Sequence, residues 1–412
     1  MVDVVELPPI EYNPWLPEIH ADPYPMYRRL REEDPVHSSL PGVYIVSRHQ
    51  DVSWLLRDPK FSHDNRKSAL YPMFIESLAP EERSFVEERM GQNMLFTDPP
   101  DHTRLRGLVS KAFGTRVIEA LRPRVEQIVT ELLDELIGAG PVDLVERFAY
   151  PVPVTVICEL MGVPQEDRHL FHRWSADLVL TLDPLITPAV LRRASASSIA
   201  FDAYFTELLA ERRKHPREND LLTGLLAAEQ EGDRLTYREL LSTAILLLVA
   251  GHETTVNLIS NGMLALIRHP DQMQRLREDP SLLRTAVEEL LRYDSPVQID
   301  GRTVLEDMEI GGVPIAAGQQ VVGLLGAANR DPAQFDRPDE LDIGREDNRH
   351  LAFGAGIHFC LGSPLARAEG QVAIRELVRR TARIELASEA DLRWRETITL
   401  RGLSSLPVTL SA

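Results

Sequence analysis

A mainly α chain with a small β-rich portion, forming one domain over residues 1–412, is what the sequence predicts. Three features point to it. Apolar residues recur at helical spacing through most of the chain up to Tyr293. Between Thr236 and Pro270 there is no proline, which allows one helix of about 33 residues, roughly 50 Å long. After Asp294 the pattern shortens to alternating segments broken by Gly311, Gly312 and Gly318, which reads as strands and hairpins.

Taken in order, Asp22–Asp34 reads as an amphipathic helix and Gly42–Ser47 as a strand through Val43, Tyr44, Ile45 and Val46. The polar stretch Phe61–Thr97 has little periodicity and reads as a mobile loop with one helix near Pro80–Met90. His102–Leu121 carries Leu105, Leu108, Ala112 and Phe113 at helical spacing, and Pro123–Ile137 continues in that style. Val154–Met161 reads as buried, with Cys158 an inert core thiol. Leu170–Leu182 and Ala189–His215 are two further helices joined by a turn at Asp183–Pro188. Thr236 and Glu239 have the spacing of a capping box at the start of the long helix. Pro280–Tyr293 is another helix, followed by strand segments at Val297–Leu305, Met308–Ile310 and Val313–Val322. Asn329–Arg349 reads as an ordered surface meander, and Leu361–Thr381 as a last helix.

Composition excludes several classes of function. The net charge is −18, from 45 Lys and Arg against 63 Asp and Glu, so nucleic acid and anionic membrane surfaces are poor partners. Met1 to His20 carries Asp3, Glu6 and Glu11 and does not have the pattern of a signal peptide. The longest apolar run, Ile245–Ala250, falls far short of the ~20 residues of a membrane span. Two cysteines, Cys158 and Cys360, in so long a chain suit a reducing cytoplasm.

Cys360 lies in Phe353-Gly354-Ala355-Gly356-Ile357-His358-Phe359-Cys360-Leu361-Gly362. Glycines allow tight turns and close approach to a flat ligand. The following helix offers N–H groups that favour a thiolate, and a thiolate bound to haem iron assists O–O cleavage. His358 and Cys360 alone are too few for a zinc site. On the residues alone, a thiolate ligand and a buried free cysteine both remain open.

This segment resembles the haem-binding signature of cytochromes P450, whose fixed positions are met by Phe353, Gly356, His358, Cys360 and Gly362. The ten-residue pattern is highly specific, and further matches in the expected order extend the resemblance from about Asp22 to the end of the sequence. It implies the P450 fold around a buried haem b, with Cys360 as the iron ligand. Glu289 and Arg292, three apart on one helix face, resemble the family's buried Glu-x-x-Arg pair, with Arg345 as third partner. Ala250-Gly251-His252-Glu253-Thr254-Thr255 resembles the oxygen groove of the long helix. There Ala250 faces the cofactor, and the acid–alcohol pair Glu253 and Thr254 relays protons during oxygen activation. Thr hydroxyls in such a place can also bond back to a carbonyl and bend the helix. His102, Arg106, Arg302 and His358 match the residues that hold the two haem propionates, whose burial needs charge-assisted donors.

The resemblance is nearest to the bacterial group of macrolide and polyketide hydroxylases and the fatty-acyl P450 of biotin synthesis. It rests there on Ala250–Leu266 and Gly323–Pro332. Gly114-Thr115 departs from the Thr-Pro of many relatives, which touches only a local turn. The implied activity is monooxygenation of a small apolar substrate such as a polyketide, macrolide, fatty acid or terpenoid. Electrons would come from a ferredoxin or flavodoxin with its reductase, so NAD(P)H serves only indirectly, and the protein would act as a monomer. Leu246, Val249, Ala250, Val297 and Ile299 are the expected substrate contacts, with others from Phe61–Thr97 and Phe171–Glu211. An H2O2-dependent peroxygenase and a non-enzymatic haem or gas sensor are the alternatives, and the intact acid–alcohol pair argues against both. Arg104, Arg106, Lys111, Arg116, Arg122 and Arg124, against Glu119 alone, would make a basic docking face for an acidic ferredoxin.

Overall fold

The structure, a computed structural model, describes residues 10–89, 92–113, 115–218, 220–230 and 235–412. The first nine residues of the N-terminal stretch considered above lie outside it, as does Gly114 of the departing turn.

The long helix runs Tyr237–Arg268, 32 residues. Its capping box is complete: the Glu239 N–H donates to Thr236 Oγ1 at 3.2 Å, and the Thr236 N–H donates to Glu239 Oε2 at 2.7 Å. By length and composition this helix could cross a membrane, but 72% of its most apolar window is buried inside the protein. It packs against Pro151–Leu160, Leu283–Tyr293 and Ser363–Arg380, and an apolar surface on all sides is what a helix at the centre of a large core needs.

A five-stranded sheet lies apart from this core. Its order is Val36–Leu40, Val43–Val46, Gln320–Leu324, Ile299–Val304, Phe61–Ser62. Val43–Val46 pairs in parallel with Gln320–Leu324, which pairs antiparallel with Ile299–Val304 so that Arg302 sits opposite Val321.

Glu289 and Arg292 are fully buried and doubly hydrogen-bonded at 2.7 and 2.8 Å. Arg345 donates to Glu289 at 3.1 Å, and the Asp342 N–H at 2.9 Å. Arg292 in turn donates to the carbonyls of Asn329, Pro338 and Glu340. One ion pair thus fixes the irregular chain between Asn329 and Arg345, which has few ladder bonds of its own.

Some boundaries differ from expectation. The break expected near Leu121–Pro123 falls at Phe113, where φ −110° and ψ 46° leave the helix. The next helix, Thr115–Leu136, passes through Pro123, which costs it only the bonds around one missing N–H. Phe61–Thr97 is more ordered than a loop. Besides the helix Pro80–Arg89 it holds Tyr71–Glu76 and the edge strand Phe61–Ser62, tied to Thr303 and Val304. The helix Leu221–Gln230 was not anticipated, nor were the strands Pro141–Asp143, Arg383–Leu386 and Pro407–Ser411 that form a separate sheet.

Candidate active site at Cys360 and the long helix

The loop before Cys360 is shaped by two glycines in the left-handed region, Gly354 at φ 68° and Gly356 at φ 69°. A side chain at Gly356 would also overlap the carbonyl of Leu56. The Cys360 N–H donates to the Phe353 carbonyl at 2.9 Å, closing the loop, and Arg367 stacks over the Phe353 ring at 4.4 Å. The helix Ser363–Arg380 begins immediately afterwards, with Gly362 as its N-cap. At Gly362 an added side chain would lie 4.0 Å from Cys360 Sγ, so the glycine keeps one side of the sulfur clear. Burial raises the Cys360 thiol pKa, against the pull of the Gly362 and Ser363 N–H groups and of Arg106 and Arg367. The helix terminus favours the thiolate as expected, but burial outweighs it in the protein alone.

Donors gather beside this loop. His102 is buried with both ring nitrogens unpartnered among the described residues, and Arg302 is buried with Nη2 unpartnered. The His358 ring stands 4.3 Å from that of His102 and 4.6 Å from that of His63. Arg106 donates to the Phe359 carbonyl at 2.6 Å. Buried donors left bare in this way cost about 1–3 kcal/mol each, and their chemistry is that of an anion site. Two haem propionates fit it.

On the long helix, Leu246, Val249, Ala250 and Thr254 share one face at helical spacing and are less buried than Ile245, Leu248, His252 and Glu253 around them. They form an open, mostly apolar stripe with a single hydroxyl. Thr254 Oγ1 donates to the Ala250 carbonyl at 3.3 Å, the back-bond expected of a threonine inside a helix.

The family model for cytochrome P450 matches residues 76–382. Cytochrome P450 107B1 of Saccharopolyspora erythraea is 46% identical over 94% of this chain and 95% of its own. The 6-deoxyerythronolide B hydroxylase of the same organism is 43% identical over 95% of this chain and 96% of its own. The crystal structure of P450BioI in complex with a hexadec-9Z-enoic acid ligated acyl carrier protein superposes with a TM-score of 0.86 at 41% identity, covering 95% of this chain and 100% of that one.

The chain is a cytochrome P450. It belongs to a family of monooxygenases in which haem iron is inherent, and its relatives include the macrolide hydroxylase just named.

In this P450 the structure brings together Cys360, Phe353, Gly362, His358, His102, Arg106 and Arg302, and it gives Ala250 and Thr254 one open helix face. Glu253 is adjacent in sequence but buried, with its carboxylate on Arg395 and 3.4 Å from His252 Nε2. Val297 is half-buried and bridges Leu400. Ile299 is buried in a separate apolar cluster with Tyr27, Leu30, Ile45 and Leu324.

Sequence reasoning missed His63 and Asp300. His63 Nε2 lies 3.3 Å from Asp300 Oδ1, and Arg302 pairs with the same carboxylate, which holds it well below the usual range despite full burial. The Asp-x-Arg spacing at 300 and 302 on one strand face was the only available signal. Of the charges expected to form a basic docking face, Arg104 pairs with Glu239 at 2.5 Å and Arg124 with Glu159 at 2.8 Å. The side chain of Arg116 lies outside the described residues. Cys158 is the inert core thiol expected, with burial pushing its pKa up to about 12.

Proposed function

We propose that this P450 is a haem-thiolate monooxygenase that inserts one oxygen atom from O2 into a small apolar molecule, in the cytoplasm and as a monomer. The observation that carries the reading is the cluster of buried donor atoms without a partner among the described residues, both ring nitrogens of His102 and Nη2 of Arg302, with His102 against the His358 ring. These residues, with Arg106, would hold the propionates of haem b, and Cys360 Sγ would hold the iron. A thiolate-bound haem supplies the activation of O2. The chain's own part is to position and protect. Gly354, Gly356 and Gly362 let the loop approach a flat ring. Leu246 and Val249, with Ala250 and Val297, offer an apolar wall that orients a substrate by shape and keeps water out. Thr254 Oγ1 offers a proton at the open face, and Glu253 replenishes it. Electrons would come from NAD(P)H through a reductase and a ferredoxin or flavodoxin.

The substrate proposed is an elongated or macrocyclic apolar molecule such as a fatty acyl chain or polyketide. Support comes from the apolar stripe and from relatives that hydroxylate 6-deoxyerythronolide B or hold an acyl carrier protein. The deciding experiment is the spectrum of the reduced protein with carbon monoxide. The red-shifted Soret band of thiolate haem is expected from the natural sequence and should be absent from Cys360→Ala. A Cys360→Ala protein that keeps the band, or a natural protein without it, overturns the assignment.

A further inference from the structure

Three imidazoles stand in a row beside the Cys360 loop. The His358 ring has His63 at 4.6 Å on one flank and His102 at 4.3 Å on the other. His63 enters this row from the edge strand Phe61–Ser62, whose partner strand carries Arg302. Its place is fixed by three contacts. The His63 N–H donates to Asp98 Oδ1 at 3.0 Å, its ring lies 5.6 Å from that of Phe96, and its Nε2 lies 3.3 Å from Asp300 Oδ1. The side chain is buried.

The charges around the row do not balance two propionates. Arg106 and Arg302 supply two positive charges. Asp300 takes one back, because Arg302 Nη1 donates to its carboxylate. Asp98 is already paired with Lys67 at 2.6 Å, and Asp64 with Arg66 at 2.7 Å. With all three imidazoles neutral, two propionates would leave the site with one negative charge in excess. Burial makes such a charge costly, and one proton on an imidazole removes it.

His63 is the ring best placed to take that proton. A carboxylate already stands on its Nε2, so a propionate gives it an anion on a second side. Burial and Arg302 lower its pKa, and Asp300 raises it. His358 is pressed down to about 2 by burial, with His63, Arg302 and His102 adding to the effect. Burial and Arg106 lower His102, and the acid that acts on it, Asp98, is shared with Lys67. Burial pushes the Asp300 carboxyl up, but Arg302 and His63 hold it well below the usual carboxylate range. An ionised Asp300 only accepts, so His63 Nε2 must carry a hydrogen. A neutral ring then has a bare acceptor at Nδ1, which repels a propionate oxygen. An imidazolium donates from both nitrogens.

We propose that His63 is a further haem-binding residue, the imidazolium that balances the propionates while it holds Asp300 beside Arg302. The proposal rests on the row being the propionate site, and it makes retention of the cofactor depend on pH through a residue of the edge strand.

The test is nitrogen-15 NMR of the imidazoles in the haem-loaded, reduced and carbon monoxide-bound protein, with His63→Gln identifying the His63 signals. Both nitrogens of His63 should be protonated at pH 7, with a midpoint above the ~6.5 of a free histidine. A neutral His63 ring at pH 7 overturns the proposal. Transfer of haem to apomyoglobin gives a second readout. Propionates raise the midpoint of His63 above its value without them, so its hold is complete at low pH and is lost as pH rises through the loaded-state midpoint. Transfer from the natural protein should therefore quicken roughly 10-fold or more across that range. His63→Gln keeps a donor for Asp300 but takes up no proton. It should transfer haem at the faster rate already at pH 7 and lose the step. A His63→Gln protein that keeps the whole pH step overturns the role of His63. Failure of the propionate site itself would appear separately, as transfer unaffected by His102→Leu.

Discussion

The imidazoles of His102 and His358 face each other at 4.3 Å, and neither nitrogen of His102 has a partner among the described residues. Burial and the neighbouring positive charge of Arg106 lower the pKa of His102, as burial and the rings and Arg302 around it lower that of His358. An anion beside the two rings would supply what each lacks. His102→Leu should therefore hold haem less well. Losing one hydrogen bond to a charged group, ~1.5–3 kcal/mol, corresponds to roughly 10- to 100-fold faster transfer of haem to apomyoglobin. An unchanged transfer rate would remove His102 from the propionate site.

Thr254 presents the only hydroxyl on an otherwise apolar stripe of Leu246, Val249 and Ala250. Thr254→Ala should leave haem content and ligand-induced Soret shifts close to those of the natural protein. Product formed per NADPH should fall several-fold while H2O2 rises. Coupling that stays constant would mean protons arrive by a route that avoids this residue.

Val249 and Ile299 separate wall from core. Val249→Phe narrows the open face, so it should redistribute products between positions on one substrate with little change in melting temperature. Ile299→Ala empties a packed site among Tyr27, Leu30 and Leu324 and should cost about 2–5 kcal/mol in denaturant unfolding with the product pattern retained. The reverse pattern would return Ile299 to the substrate wall.

What could be read from the sequence follows from how local the signal is. The long helix was legible because its capping box is four residues long and its interior lacks proline. The Cys360 loop was legible because its shape needs glycine at fixed places, and Gly356 cannot be replaced without striking Leu56. The Glu289–Arg292 pair sat on one helix turn. Arg395 was invisible because its partner Glu253 lies 142 residues earlier and nothing local marks either side chain as half of a pair. His63 was hidden for the same reason, being placed by an edge strand of two residues. For Ile299, strand alternation says which face the residue shares and not what covers that face.

The docking face for a redox partner is smaller than a count of charges suggests. With Arg104 and Arg124 paired to Glu239 and Glu159, and Arg106 turned to the Phe359 carbonyl, Lys111 is the exposed cation on the helix Asp101–Ala112. Arg122 donates to Gln371 and has no ion pair among the described residues. Ile357 and Phe359 of the Cys360 loop stand 52% and 40% exposed, and Arg106 of the same helix as Lys111 reaches the Phe359 carbonyl. An acidic ferredoxin docking here would be steered by the cations at long range and seated by burial of the apolar side chains. The rate of first electron transfer should fall as salt rises, since charges are screened over ~8 Å at physiological ionic strength. Lys111→Glu should slow reduction by ferredoxin several-fold, and Phe359→Ser should weaken docking with little change in its salt dependence. Both should leave reduction by dithionite at the natural rate. Arg124→Gln, which removes a charge already spent on Glu159, should change the ferredoxin rate least. If reduction proves independent of salt and of Lys111, the partner docks elsewhere.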